Sequence, residues 1–207
     1  MVKLRRFDVI SNNYLLDNKK KHNQLYPVSI NFKDLTVIVG PNGSGKSQYL
    51  KALTMLTTQA HGWKEYKTTW DADQDTKFLS FDEEDFKQKV QNPAPWDRND
   101  YSYEFAKLMG RSWMSSGEGQ IDLIQDLIPV EDSKYEGIVF IYDELDHNLD
   151  FKNQVKMFEM LKNLSKKNQV IIVTHSPVVI AQAGEVFDME SKSWVNSKEY
   201  LGKYGIL

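Results

Sequence analysis

Three short runs of this chain are almost wholly apolar: LTVIV at residues 35–39, GIVFIY at 137–142 and QVIIVT at 169–174. A strand with one wet face alternates apolar and polar residues, whereas a strand covered on both faces does not. The three runs therefore predict strands at the centre of a sheet. Residues 2–10 and 28–32 set apolar residues between polar ones and predict half-buried strands. A short strand is expected over 77–81, and edge strands over 186–189 and 194–195. Residues 63–75 give no clear element.

Helical patterning fills the gaps. Residues 46–58 and 119–127 predict helices, and a short one is expected after Pro177. Phe151, Val155, Phe158 and Leu161 stand at helical spacing and predict the core stripe of a helix over 150–164. From 82 to 110 the chain turns charged and helix-favouring, broken by NPAPW at 92–96, whose prolines separate two helical pieces. Buried strands alternating with helices predict an α/β fold with a mostly parallel central sheet. The expected organisation is one domain over 1–207, with an antiparallel N-terminal β part and a small helical subdomain over 82–118.

Composition narrows this little. The 207 residues are 41% hydrophobic and 27% charged, with net charge −3, which gives no general attraction to nucleic acid. Lys19-Lys20-Lys21 is the only lysine triplet and reads as a solvated loop, with a phosphate-backbone contact as the alternative. There is no cysteine, which excludes disulfides and thiol chemistry and is compatible with a reducing cytosol, so a cytoplasmic location is expected. The opening MVKLRRFDVI interleaves charges with apolar residues, unlike a signal peptide. No window approaches the roughly 18 consecutive apolar residues of a membrane helix, so no direct membrane insertion is expected.

The chemistry begins where the first buried strand ends. Gly40-Pro41-Asn42-Gly43-Ser44-Gly45-Lys46-Ser47 matches G-x-x-x-x-G-K-[ST], with a strand before it and a helix after. Glycines let the backbone aim its N–H groups inward at phosphate oxygens, and the helix N-terminus adds its dipole. Asn42, Gly43, Ser44, Gly45, Lys46, Ser47 and Gln48 are thus candidate nucleotide ligands. Lys46 would bring a full charge to the terminal phosphates, and the Ser47 hydroxyl can hold Mg²⁺. This loop alone says nucleoside triphosphate, with kinase and hydrolase both open.

The second buried strand ends in Asp143 and Glu144. Ligands of parallel sheets sit beyond the carboxyl ends of strands. There Asp143 can orient Mg²⁺ through water, and Glu144 can polarise a water for in-line attack on a γ-phosphate. His175 follows the third buried strand, where it can reach the same phosphate and donate to it. His22, His61 and His147 form no metal-ligand spacing. SSGEGQ, residues 115–120, reads by itself as a helix cap.

In this order the pieces resemble the nucleotide-binding domain of ABC-type ATPases. GPNGSGKS looks like the Walker A loop, GIVFIYDE like Walker B with its catalytic glutamate, residues 145–150 like the D-loop and His175 like the switch histidine. SSGEGQ looks like the signature motif, in the S-x-G-E form more typical of non-transport branches. The resemblance implies a P-loop ATPase using ATP and Mg²⁺, with Glu144, His175 and Lys46 in catalysis. It implies a homodimer that closes head to tail on ATP, Ser116, Gly117 and Glu118 of one copy facing the nucleotide of the other. It points to a small stand-alone ATPase driving a protein or nucleic-acid partner, with a transporter subunit as the alternative. Leu145 stands where the family has Pro, and no Q-loop glutamine is obvious: Asp82 follows the strand, and Gln88 is further on. Tyr14 and Tyr26 are candidates for stacking on adenine only by lying upstream.

Overall fold

The central sheet has six strands, and its strand order brings distant parts of the chain side by side. The computed structural model describes residues 3–12, 27–58, 66–81, 136–146 and 149–206. Its strands are β1 (Leu4–Asn12), β2 (Val28–Asn31), β3 (Leu35–Val39), β4 (Tyr66–Ala72), β5 (Lys77–Phe81), β6 (Ile138–Asp143), β7 (Gln169–Val173), β8 (Glu185–Asp188) and β9 (Ser193–Asn196). Its helices are α1 (Lys46–Thr58), α2 (Phe151–Leu164), α3 (Pro177–Ala183) and α4 (Ser197–Lys203). The helical subdomain expected over 82–118 and the helix expected over 119–127 lie outside the described residues.

The large sheet runs β5-β6-β7-β3-β8-β9, parallel except for the β8–β9 pair. β1 pairs antiparallel with both β2 and β4 in a separate three-stranded sheet. The stretch that gave no clear element thus holds β4. β8 is not an edge strand, because it pairs with β3 on one side and β9 on the other. Its short EVFD run begins with an exposed Glu185, which hides its interior position from pattern reading.

Strand period sorts the continuous apolar runs into two layers. Val37, Phe140, Tyr142, Val170 and Ile172 face one core with α2, α3 and α4. Ile38, Val139, Ile141, Ile171 and Val173 face the other, against α1 and the antiparallel sheet. Two polar groups fasten that sheet. The Gln169 side chain accepts from the Leu4 N–H at 2.8 Å and donates to the Leu4 carbonyl at 2.8 Å. The Tyr49 hydroxyl on α1 donates to the Phe7 carbonyl at 2.9 Å, with the two rings edge to face.

The core stripe of α2 differs from the expected one. Met157, Phe158, Leu161 and Leu164 are buried, whereas Phe151 is 76% exposed and Val155 40%. Gln154 explains the rotation. It turns inward to donate to the Leu149 carbonyl at 2.9 Å and accept from the Ser176 hydroxyl at 2.6 Å. That orients the first turn by hydrogen bonds rather than by apolar burial.

Candidate functional site

Register places three strand ends level. Ile38 of β3 pairs with Val173 of β7, and Val173 also pairs with Asp143 of β6. The loops that follow therefore emerge side by side at the carboxyl edge of the sheet, where α/β proteins bind ligands.

The loop after β3 is built around a buried cation. Lys46 is 5% exposed, and its ammonium donates to the carbonyls of Gly40 at 2.8 Å and Pro41 at 3.1 Å. Gly40, Gly43 and Gly45 take positive φ of 153°, 81° and 91°, which side chains resist. At Gly40 a Cβ would also meet Ser44 Oγ at 2.6 Å and Met189 Cβ at 3.2 Å. The Ser44 hydroxyl is buried with no hydrogen-bond partner among the described residues. Such an orphan is costly, and it sits against Gly40 at the base of the loop.

Glu144 leaves β6 in a left-handed conformation, φ 52°, held there as its N–H donates to the Val173 carbonyl at 3.0 Å. Non-glycine residues in this region carry strain that concentrates at functional sites. The turn brings Glu144 Oε1 to 3.5 Å from His175 Nε2, both side chains 41% exposed. A cleft of ≈ 250 Å³ is lined by Asn42, Gly43, Gly45, Lys46, Ser47, Gln48, Glu144 and His175. The structure thus brings together residues from three separated segments that the sequence singled out.

The charges act on one another. Burial pushes the Lys46 pKa down, while Glu144 and Asp143 oppose that shift. Burial and then the Lys46 charge push His175 below the ordinary histidine value, against Glu144 and Asp146. Lys46 therefore sits among two carboxylates and a largely neutral imidazole at neutral pH. Ser47 and Asp143 offer hard oxygen donors of the type Mg²⁺ takes when substrate phosphates and water complete its shell. Among the described residues no cluster of three His, Asp or Glu forms a metal cage by itself.

Asp146, two residues past Glu144, is placed by the sequence only within the D-loop-like stretch 145–150, with no role of its own. It is 6% exposed, and its Oδ2 accepts from the Thr174 hydroxyl at 2.8 Å. Only the adjacency of β6 and β7 could have paired them. Ser116, Gly117 and Glu118, with Asp82, Gln88, Tyr14, Tyr26 and the lysine triplet, lie outside the described residues.

Known proteins share this fold. The head domain of SMC from Thermotoga maritima superposes with a TM-score of 0.55 at 17% identity, covering 90% of this chain and 94% of that one. A nucleotide-free ATP-binding cassette from an ABC transporter superposes with a TM-score of 0.56 at 15% identity, covering 97% and 94%. The fold is that of an ABC-type P-loop nucleotide-binding domain. In sequence, the phosphate import ATP-binding protein PstB of Oceanobacillus iheyensis is 26% identical, over 78% of this chain and 69% of its own length. The chromosome partition protein Smc of Methanocaldococcus jannaschii is 30% identical, over 39% of this chain and only 7% of its own. Residues 82–181 match the family described as "AAA domain, putative AbiEii toxin, Type IV TA system". The likenesses thus fall on transporter and non-transporter proteins alike.

Proposed function

We propose that the domain binds ATP with Mg²⁺ at the ends of β3, β6 and β7 and hydrolyses it. The observation that carries this reading is the single cleft shared by the phosphate loop, Glu144 and His175. Lys46 and the loop N–H groups would hold the β- and γ-phosphates. Ser47 and Asp143 would hold Mg²⁺, which when bound neutralises charge on the phosphate oxygens. Glu144 would accept the proton of the attacking water, and the neutral His175 imidazole would donate to a γ-phosphate oxygen. Lys46→Ala should weaken ATP binding roughly 10- to 100-fold, the range for hydrogen bonds to charged groups. Undiminished affinity in a titration calorimeter would count against the site.

Two readings remain for what the cycle drives. Breadth of likeness favours the nucleotide-binding subunit of an ABC membrane transporter. The phosphate-import relative aligns over 78% of the chain, the chromosome-partition relative over 39%. No helix among the described residues is long and apolar enough to cross a membrane, so in that reading they would dock on a membrane-spanning part. The S-x-G-E form of SSGEGQ favours a switch that passes work to a protein or nucleic acid. In both readings Ser116, Gly117 and Glu118 of a second copy would complete the site. Light scattering of Glu144→Gln should then show monomer without ATP–Mg²⁺ and dimer with it. A variant that binds ATP and stays monomeric contradicts the head-to-tail homodimer, and copurification with an integral membrane protein selects the transporter reading.

A further inference from the structure

The two loops that carry Glu144 and His175 are joined by a closed circuit of side-chain hydrogen bonds. The Thr174 hydroxyl donates to Asp146 Oδ2 at 2.8 Å, and its oxygen accepts from the Ser176 N–H at 2.9 Å. The Ser176 hydroxyl donates to Gln154 Oε1 at 2.6 Å. Gln154 Nε2 donates to the Leu149 carbonyl at 2.9 Å and to the Asp146 carbonyl at 3.4 Å, which closes the circuit. Asp146, Thr174 and Ser176 are buried, and Gln154 is half-buried.

His175 itself is not a member. Its two chain neighbours are, so its backbone is gripped from both sides while its ring stays free to face the cleft. Glu144 is held similarly: its N–H is tied to Val173, and Asp146 anchors the chain two residues later. Plain packing would not need this chemistry. A Val at 174 and an apolar residue at 146 would fill the space without burying a carboxyl whose Oδ1 has no partner among the described residues. The Ser176 hydroxyl also caps α3, accepting from the N–H groups of Val178 and Val179 at 3.2 and 3.3 Å. The circuit is therefore anchored to a helix start on each side, α2 through Gln154 and α3 through Ser176.

We infer that Asp146, Thr174, Ser176 and Gln154 are positioning residues, which hold Glu144 and His175 in one fixed relation for the hydrolysis proposed above. The inference rests on that reading. Displacing a catalytic group by about 1 Å can slow a reaction about 10²-fold without touching ground-state binding. Opening the circuit should therefore lower kcat and leave ATP affinity in place.

The test measures steady-state phosphate release, ATP affinity and the melting temperature for Thr174→Val, Thr174→Ser, Gln154→Met and the Val–Met double variant. Thr174→Val keeps the shape and removes the hydroxyl, and its kcat should fall by about 10²-fold at unchanged ATP affinity. Thr174→Ser should recover most of the rate. Gln154→Met should fall likewise, and the double variant no further than the worse single, because the circuit is already open. Folded Thr174→Val and Gln154→Met with the unmodified kcat would overturn the inference. So would losses in which rate, affinity and melting temperature decline together. If Thr174→Val fails to fold, Gln154→Met, at a half-buried position in the first turn, decides alone. Glu144→Gln separates the two levels: if it retains the full rate the hydrolytic site itself is wrong, whereas if it is inactive and the circuit variants are not, only the circuit is.

Discussion

Glu144 Oε1 and His175 Nε2 stand 3.5 Å apart at the ends of adjacent parallel strands. The separation is too long for a strong hydrogen bond but short enough for each charge to feel the other. His175 lies below its ordinary value of 6.5 because burial and Lys46 outweigh Glu144 and Asp146. An NMR titration of the nucleotide-free protein should find its midpoint below 6.5. Glu144→Gln removes a charge that raises this pKa, so the midpoint should drop further. Lys46→Ala removes one that lowers it, so the midpoint should climb. Shifts of the opposite sign would contradict the electrostatic geometry.

Gly40 tests the shape of the loop after β3. An alanine there would carry strain at φ 153° and press its Cβ to 2.6 Å from Ser44 Oγ. Gly40→Ala should cost about 1–3 kcal/mol of stability and weaken ATP binding as the loop opens. Urea unfolding and nucleotide titration of the same variant check both parts.

Asp146 should trade stability against pH. Burial, which outweighs the Thr174 hydrogen bond, holds its carboxyl above the ordinary 3.8. The folded chain thus binds this proton more firmly than the unfolded chain, and stability falls as pH rises through the window above 3.8. Asp146→Asn carries no charge and keeps an acceptor for Thr174. It should unfold at higher urea concentration than the unmodified chain at neutral pH, and the advantage should shrink on acidification towards 3.8.

Gln169 tests how the antiparallel sheet is fixed to the parallel one. Its amide meets both the N–H and the carbonyl of Leu4, in a fully buried position. Gln169→Leu would leave two buried backbone groups unmet, at about 1–3 kcal/mol each. Denaturant unfolding should show a loss of about 2–6 kcal/mol for the two groups together, with ATP affinity little changed.

What could be read in the sequence follows from how local each signal is. The glycine-rich loop, its strand and its helix are contiguous, so Gly40 to Gln48 were legible as a unit. The central strands were legible because burial on both faces leaves a run with few polar residues. Gln154 and Asp146 were not, because each is a polar residue turned inward by a partner far along the chain. Phe151 and Val155 misled for the complementary reason: their spacing suits a core stripe, but the bonds of Gln154 rotate them outward. β8 was legible as a strand but not as an interior one, since its neighbours β3 and β9 are set by topology.

Phosphate release from ATP–Mg²⁺, compared between the unmodified chain and Glu144→Gln, tests the proposed hydrolysis most directly. Removal of a general base at this position is expected to slow turnover by about 10²–10⁴-fold while ATP still binds. Equal rates in the two proteins would contradict hydrolysis by Glu144 at the end of β6.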